Sequence, residues 1–139
     1  MNKRAFFRNK VVWITGASSG IGEALVNEFA VLDARIIASS NNTEELERVR
    51  KNCSRPDAVK CVTFDLADTS GIGKTVKDQI ESFGQIDYLL NIGGISQRSR
   101  IEETPLWLDR KIFEINYFGT IALTKAVLPY MTVRKSGHL

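Results

Sequence analysis

The residues able to do chemistry in this 139-residue chain gather at four places. The first is Thr15-Gly16-Ala17-Ser18-Ser19-Gly20-Ile21-Gly22, spaced T-G-x-x-x-G-x-G. It follows the apolar, largely β-branched run Val11 to Ile14, which predicts a buried parallel strand. It precedes Glu23 to Ala30, where Leu25, Phe29 and Leu32 recur at helical spacing. A glycine turn between a strand and a helix suits a phosphate. The first helical N–H groups have no intrahelical partner, the dipole favours an anion, and glycine lets a pyrophosphate approach the backbone. The alternative is a tight strand–helix turn with no ligand. The second place is Asp65, a strand-end carboxylate that can accept from an exocyclic amine or simply cap the strand against water. The third is Asn91-Ile92-Gly93-Gly94, where two glycines admit a close backbone approach. The fourth is Asn116, a polar residue inside I-N-Y-F-G-T, with a polar groove as its plain reading.

The elements that must position these residues alternate. Arg35 to Ser39 reads as a second strand after a turn in which Asp33 takes a left-handed conformation. Thr43 to Lys51 is a helix with an Asn42 cap, acids in its first turn and bases in its last. Val59 to Asp65 is a third strand, Asp68 to Phe83 a helix, and Ile86 to Ile92 a fourth strand. A Thr104 cap with Pro105 starts a helical stretch to about Val133, expected as two helices broken near Leu108 to Lys111. Its segment Ile121 to Leu128 is apolar nearly all round and so is expected to be covered on both sides. This βα alternation predicts a parallel sheet with helices on both faces and a ligand at the carboxyl ends of its strands.

Composition narrows the classes. With 43% apolar and 25% charged residues and a net charge of +3 spread in mixed signs, the chain reads as one soluble domain without a nucleic-acid face. The basic leader Met1 to Arg8 has no apolar segment behind it, so neither a signal peptide nor a membrane anchor is expected, and the location reads as cytoplasmic. Cys53, Cys61 and the single His138 lack metal-ligand spacing, so no metal is expected. Both cysteines read as free thiols of a reducing compartment, a disulfide being the alternative.

The T-G-x-x-x-G-x-G loop resembles that of the short-chain dehydrogenase/reductase family. Further stretches, among them E-L-E-R-V-R-K-N-C, G-G-I-S-Q-R-S and N-Y-F-G-T-I-A-L-T-K-A-V-L-P-Y-M, are similar to the branch represented by dehydrogenase/reductase family member seven. The resemblance implies a Rossmann-type α/β fold binding NAD(P)(H). Thr15, Gly16, Ser18, Ser19, Gly20, Ile21 and Gly22 would form the cofactor loop, Asp65 would meet the adenine amino group and Leu66 would flank the ring. Asn91, Gly93 and Gly94 stand where the family has N-N-A-G, with Ile92 in place of its second Asn. Asn116 would be the catalytic Asn, distorting its helix so that a carbonyl holds a water of the proton relay. At the end of the second strand an acid would bind the ribose of NAD and an Arg the 2′-phosphate of NADP. Ser40, Asn41 and Asn42 are neither, and the reading leans to NADP(H) over NAD(H).

The resemblance also implies hydride transfer to or from a small carbonyl or alcohol, lipophilic in that branch, with a Tyr acid–base and a Lys spaced Y-x-x-x-K. Tyr88, Tyr117 and Tyr130 are followed four residues later by Ile92, Ile121 and Arg134, so that pair is missing, and the family's Ser would fall just beyond Leu139. Residues 1–139 are therefore expected to be an incomplete NAD(P)-binding domain, truncated after the fourth strand and its following helices. The parent would be an oxidoreductase and a homo-oligomer. The alternative is a non-catalytic dinucleotide-binding module.

Overall fold

A computed structural model describes residues 2–139, and in it four strands form one parallel sheet in the order β3-β2-β1-β4. The strands are β1 (Val11–Thr15), β2 (Arg35–Ser40), β3 (Val59–Thr63) and β4 (Tyr88–Leu90). Val12 pairs with Ile36 on one side and Tyr88 on the other, and Ile36 pairs with Val59. Between the strands lie α2 (Gly20–Val31), α3 (Thr43–Asn52) and α4 (Ile72–Phe83), with a short α1 (Lys3–Phe7) ahead of them.

The alternation of side chains across the pleat sorts the core into two layers. Val12, Ile14, Ile36 and Ala38 point to one face, against Val26 and Ala30 of α2 and Leu46 and Val49 of α3. Val11, Trp13 and Ile37 point to the other, against Ile72 and Val76 of α4 and the helix that ends the chain. The sheet is thus covered on both faces, which is why its strands read as continuous apolar runs. Trp13 is fully buried because its indole N–H has a partner: Nε1 donates to Ser39 Oγ at 2.9 Å.

Several expected boundaries move. The helix expected from Glu23, α2, begins at Gly20, inside the glycine loop, and its buried stripe is Gly22, Val26 and Ala30, with Leu25 and Phe29 only flanking it. The leader is not featureless: α1 packs Phe7 edge-on against Phe29 at 5.2 Å, and Arg4 pairs with Asp33, whose φ of 60° is the left-handed turn expected there. Thr104 caps nothing. Its hydroxyl accepts from Gln97 Nε2 and donates to the Arg100 carbonyl, with no bond to a helix N–H, and α5 (Leu106–Phe113) starts with Pro105 in the cap position. No break occurs at Leu108 to Lys111, which contain no Gly or Pro to cause one. The helix instead widens into a π-helical turn over Glu114–Gly119 and continues as α6 (Thr120–Arg134). Only one face of α6, the one bearing Leu123, Val127 and Met131, is covered, while Leu128 and Val133 stay exposed.

β4 spans only three residues because its flanks have other work. Asp87, 5% exposed, accepts from the Val11 N–H at 2.8 Å and pairs with Arg134 at 3.3 Å. On the outer edge, the Leu89 N–H donates to the His138 carbonyl and the His138 N–H to the Asp87 carbonyl, a first bridge in the parallel sense. Replacing Asp87 by alanine is expected to cost about 2–3 kcal/mol, because a buried N–H then loses its acceptor and the Arg134 guanidinium its charged partner. Urea unfolding measures this, and a change below about 0.5 kcal/mol, the size of an ordinary surface substitution, would contradict it.

Candidate cofactor site

The chain runs from β1 outward to β2 and β3, then returns to the other side of β1 for β4. Loops leaving β1 and β4 therefore diverge, and a crevice opens between them at the strand ends. There the structure holds a cleft of about 400 Å³. Of the fourteen residues expected at a cofactor, thirteen line it: Thr15, Gly16, Ser18, Ser19, Gly20, Ile21, Gly22, Ser40, Asn41, Asp65, Leu66, Gly93 and Gly94.

Asn91 is the exception. Its Nδ2 donates to Thr124 Oγ1 at 3.2 Å, tying the end of β4 to α6, and its buried Oδ1 has no partner. Ile92, marked in the sequence with its neighbours, also lines the cleft, as do Ser39, Phe64, Ile95 and Ile115, which had no signal there because buried strand residues and scattered apolar ones look like core.

The glycines have separate tasks. A Cβ on Gly22 would stand 2.0 Å from the Gly16 carbonyl oxygen, so Gly22 lets the helix start against the turn. Gly16, at φ 64°, lies so close to Gly93 that a Cβ would stand 2.8 Å from its Cα. Gly20, at φ 52°, faces no protein atom within 4 Å, so the space beside it is open to a ligand. Ile21 beside it is 70% exposed, an apolar side chain without protein cover.

Hydroxyls hold the loops together. Thr15 Oγ1 accepts from the Ile92 N–H at 3.0 Å and the Gly93 N–H at 2.8 Å, coupling the β1 and β4 loops. Ser18 Oγ and Ser40 Oγ lie 2.9 Å apart, and Ser40 Oγ also accepts from the Asn42 N–H. Behind them Arg48 donates to both oxygens of Glu23, to Glu45 and to the Ser18 carbonyl. The hydrogen bond from Arg48 is the main reason that the Glu23 carboxyl sits below its usual range. Asp65 Oδ1 accepts from the Ala67 N–H at 2.8 Å, which turns the chain after β3 and leaves the exposed carboxylate at the cleft wall.

Asn116 sits in the π-helical turn, outside the cleft lining. Its Oδ1 accepts from the Ile95 N–H and its Nδ2 donates to the Ile95 carbonyl, both at 2.8 Å. It thus grips the β4 loop by both backbone groups, more than a polar side chain resting in a groove.

Two further groups of residues lie outside the cleft. Tyr130 and Arg134 lie at the opposite end of the sheet, where Arg134 serves Asp87 and the carbonyls of Ile86 and Ser136. Cys53 and Cys61 are both free, and burial, with Glu47 beside it, pushes the Cys61 thiol up to about 11, far from a nucleophile's range. Among the described residues no group of His, Cys, Asp and Glu is placed to hold a metal, and no helix is long and apolar enough to cross a membrane.

A cleft at the switch point of a parallel sheet, floored by a glycine turn and walled by backbone, is built to take an extended phosphate-bearing ligand. The short chain dehydrogenase family profile matches residues 10–139. The human dehydrogenase/reductase SDR family member 7 is 43% identical over 134 residues, covering 93% of this chain and 40% of that protein. The rat dehydrogenase/reductase SDR family member 7B is 39% identical over 143 residues, covering 98% of this chain and 44% of that protein. The chain thus spans less than half the length of these relatives. A solved short-chain dehydrogenase from Streptomyces avermitilis superposes with a TM-score of 0.86 at 33% identity, over 93% of this chain and 47% of that one. With the profile covering all but the first nine residues and a solved member of the family superposing on the fold, this chain belongs to the short-chain dehydrogenase family.

Proposed function

We propose that residues 1–139 form the dinucleotide-binding part of an NAD(P)(H)-dependent oxidoreductase that moves a hydride between nicotinamide and a small carbonyl or alcohol. The bound nicotinamide supplies or accepts the hydride. The chain's own residues do the holding. The N–H groups that open α2 would hold the pyrophosphate, Asp65 would accept from the adenine amino group, and the Gly93-Gly94 backbone would run beside a ribose. Asn116 fixes the loop that carries those glycines and bears the carbonyl for a relay water.

The observation that carries this reading is the convergence of loops from β1, β2, β3 and β4 on one cleft, with open space beside Gly20. NADP(H) is the preferred form. No carboxylate occupies positions 40–42 to repel a 2′-phosphate, and of the bonded Ser18–Ser40 hydroxyl pair one keeps its proton for an acceptor there. A lipophilic substrate and a homo-oligomer fit the exposed apolar side chains along α5 and the π-helical turn: Leu106, Trp107, Phe113 and Phe118. The free thiols fit the cytoplasm.

Fluorescence titration with NADPH tests the reading. Binding is expected to be lost in Gly20→Val. The cost to the fold is only the left-handed strain of one residue, about 1–2 kcal/mol, because the added side chain meets no protein atom within 4 Å. Equal affinity in the two proteins would rule out the loop as the phosphate site.

A further inference from the structure

The π-helical turn touches the cleft walls at two points. One is the grip of Asn116 on Ile95, described above. The other is Gly119, which lies against Leu66: a Cβ there would stand 2.3 Å from the Leu66 carbonyl oxygen and 2.8 Å from its Cβ. Gly119 is buried and has ordinary helical angles, φ −62° and ψ −45°. Glycine is disfavoured inside a helix, and no positive φ requires it here. What the position requires is space. On its other side, Leu66 reaches Gly93, where a Cβ would stand 2.8 Å from Leu66 Cδ1. Leu66 is therefore held between two glycines, its backbone against the helix and its side chain against the β4 loop.

We propose that Gly119 is a positioning residue for the adenosine end of the dinucleotide, acting through Leu66. It brings the helix into backbone contact with the loop that follows β3, and that contact sets where Leu66 and the neighbouring Asp65 stand in the cleft. One turn of helix thereby braces both loops, the β3 loop by Gly119 and the β4 loop by Asn116. Close-packed backbone transmits displacement because it has no rotamer to absorb it. Occupancy of the adenosine end is thus felt at Asn116, which lies outside the cleft lining. This inference rests on the cofactor reading above.

The test uses the purified protein with ADP as the probe of the adenosine end and NADPH as the whole dinucleotide. In Gly119→Ala the new methyl group must displace the Leu66 backbone, and both affinities are expected to fall about tenfold, the scale of overpacking strain. Gly73→Ala, whose Cβ meets nothing within 4 Å, should bind both as the unaltered protein does. Hydrogen–deuterium exchange of the unaltered protein needs no variant. ADP is expected to slow exchange across residues 116–120 as well as in the cleft loops. Unchanged affinity in Gly119→Ala with a lowered melting temperature would make Gly119 a packing residue only and overturn the proposal. Protection confined to the cleft loops would overturn it too. If the unaltered protein titrates with neither ADP nor NADPH, the cofactor reading and this proposal fall together; if it binds both and only the Gly119→Ala result fails, the reading survives.

Discussion

Replacing Gly22 by valine is expected to unfold the domain or leave it barely folded. The ideal Cβ stands 2.0 Å from the Gly16 oxygen, 2.6 Å from the Gly16 carbonyl carbon and 2.9 Å from Ala17 Cα. All three are backbone, so no side chain can rotate away. Gly16 cannot retreat either, because its other side lies against the Gly93 backbone. Overpacking of an ordinary core costs about 1–3 kcal/mol. Where only backbone can move, a loss above about 4 kcal/mol is expected, a large share of a stability that is typically 5–15 kcal/mol. Thermal unfolding followed by circular dichroism measures it. A melting point within a few degrees of the parent would mean that α2 can start elsewhere, and the account of the turn would be wrong. Gly20→Val makes the contrast, since there binding should go while the fold stays.

The second large effect concerns turnover. Residues 1–139 by themselves are expected to show no measurable reduction of aldehydes or ketones by NADPH. Positioned acid–base help contributes about 10²–10⁴-fold, and no tyrosine in this sequence is followed four residues later by lysine. The nearest pair, Tyr130 and Arg134, stands at the far end of the sheet, with Arg134 committed to Asp87. Steady NADPH oxidation that co-purifies with the chain and survives Asn116→Ala would show that another acid serves. Binding of NADPH without turnover is the expected result. The same chain joined to a segment bearing Y-x-x-x-K separates the two functional readings: a dehydrogenase would gain activity and a non-catalytic binding module would not.

Much of this protein is local and therefore legible in the chain itself. A run such as Val11 to Ile14 has one stable fate, a strand covered on both faces. Glycines spaced T-G-x-x-x-G-x-G between strand and helix specify a phosphate-sized turn because the physics of that turn is confined to eight residues. Left-handed Asp33 and the Asn42 cap were readable for the same reason.

Other features depend on partners distant in sequence, and only the tertiary structure decided them. Asn91 lies among cleft residues in the chain, yet Thr124 on α6 draws its amide out of the cleft lining. Thr104 has the look of a cap, but its oxygen accepts from Gln97 and its proton goes to the Arg100 carbonyl. The irregular turn falls at Glu114–Gly119, around the Asn116 at which the resemblance implies a distorted helix, and not at 108–111; the contacts it makes, Asn116 to Ile95 and Gly119 to Leu66, join segments far apart in sequence. Arg134 has no evident partner in the chain, and only the fold brings it to Asp87 across 47 residues. Local spacing chose the fold and the loop; which polar groups face the ligand and which hold the frame was settled by what each one meets after folding.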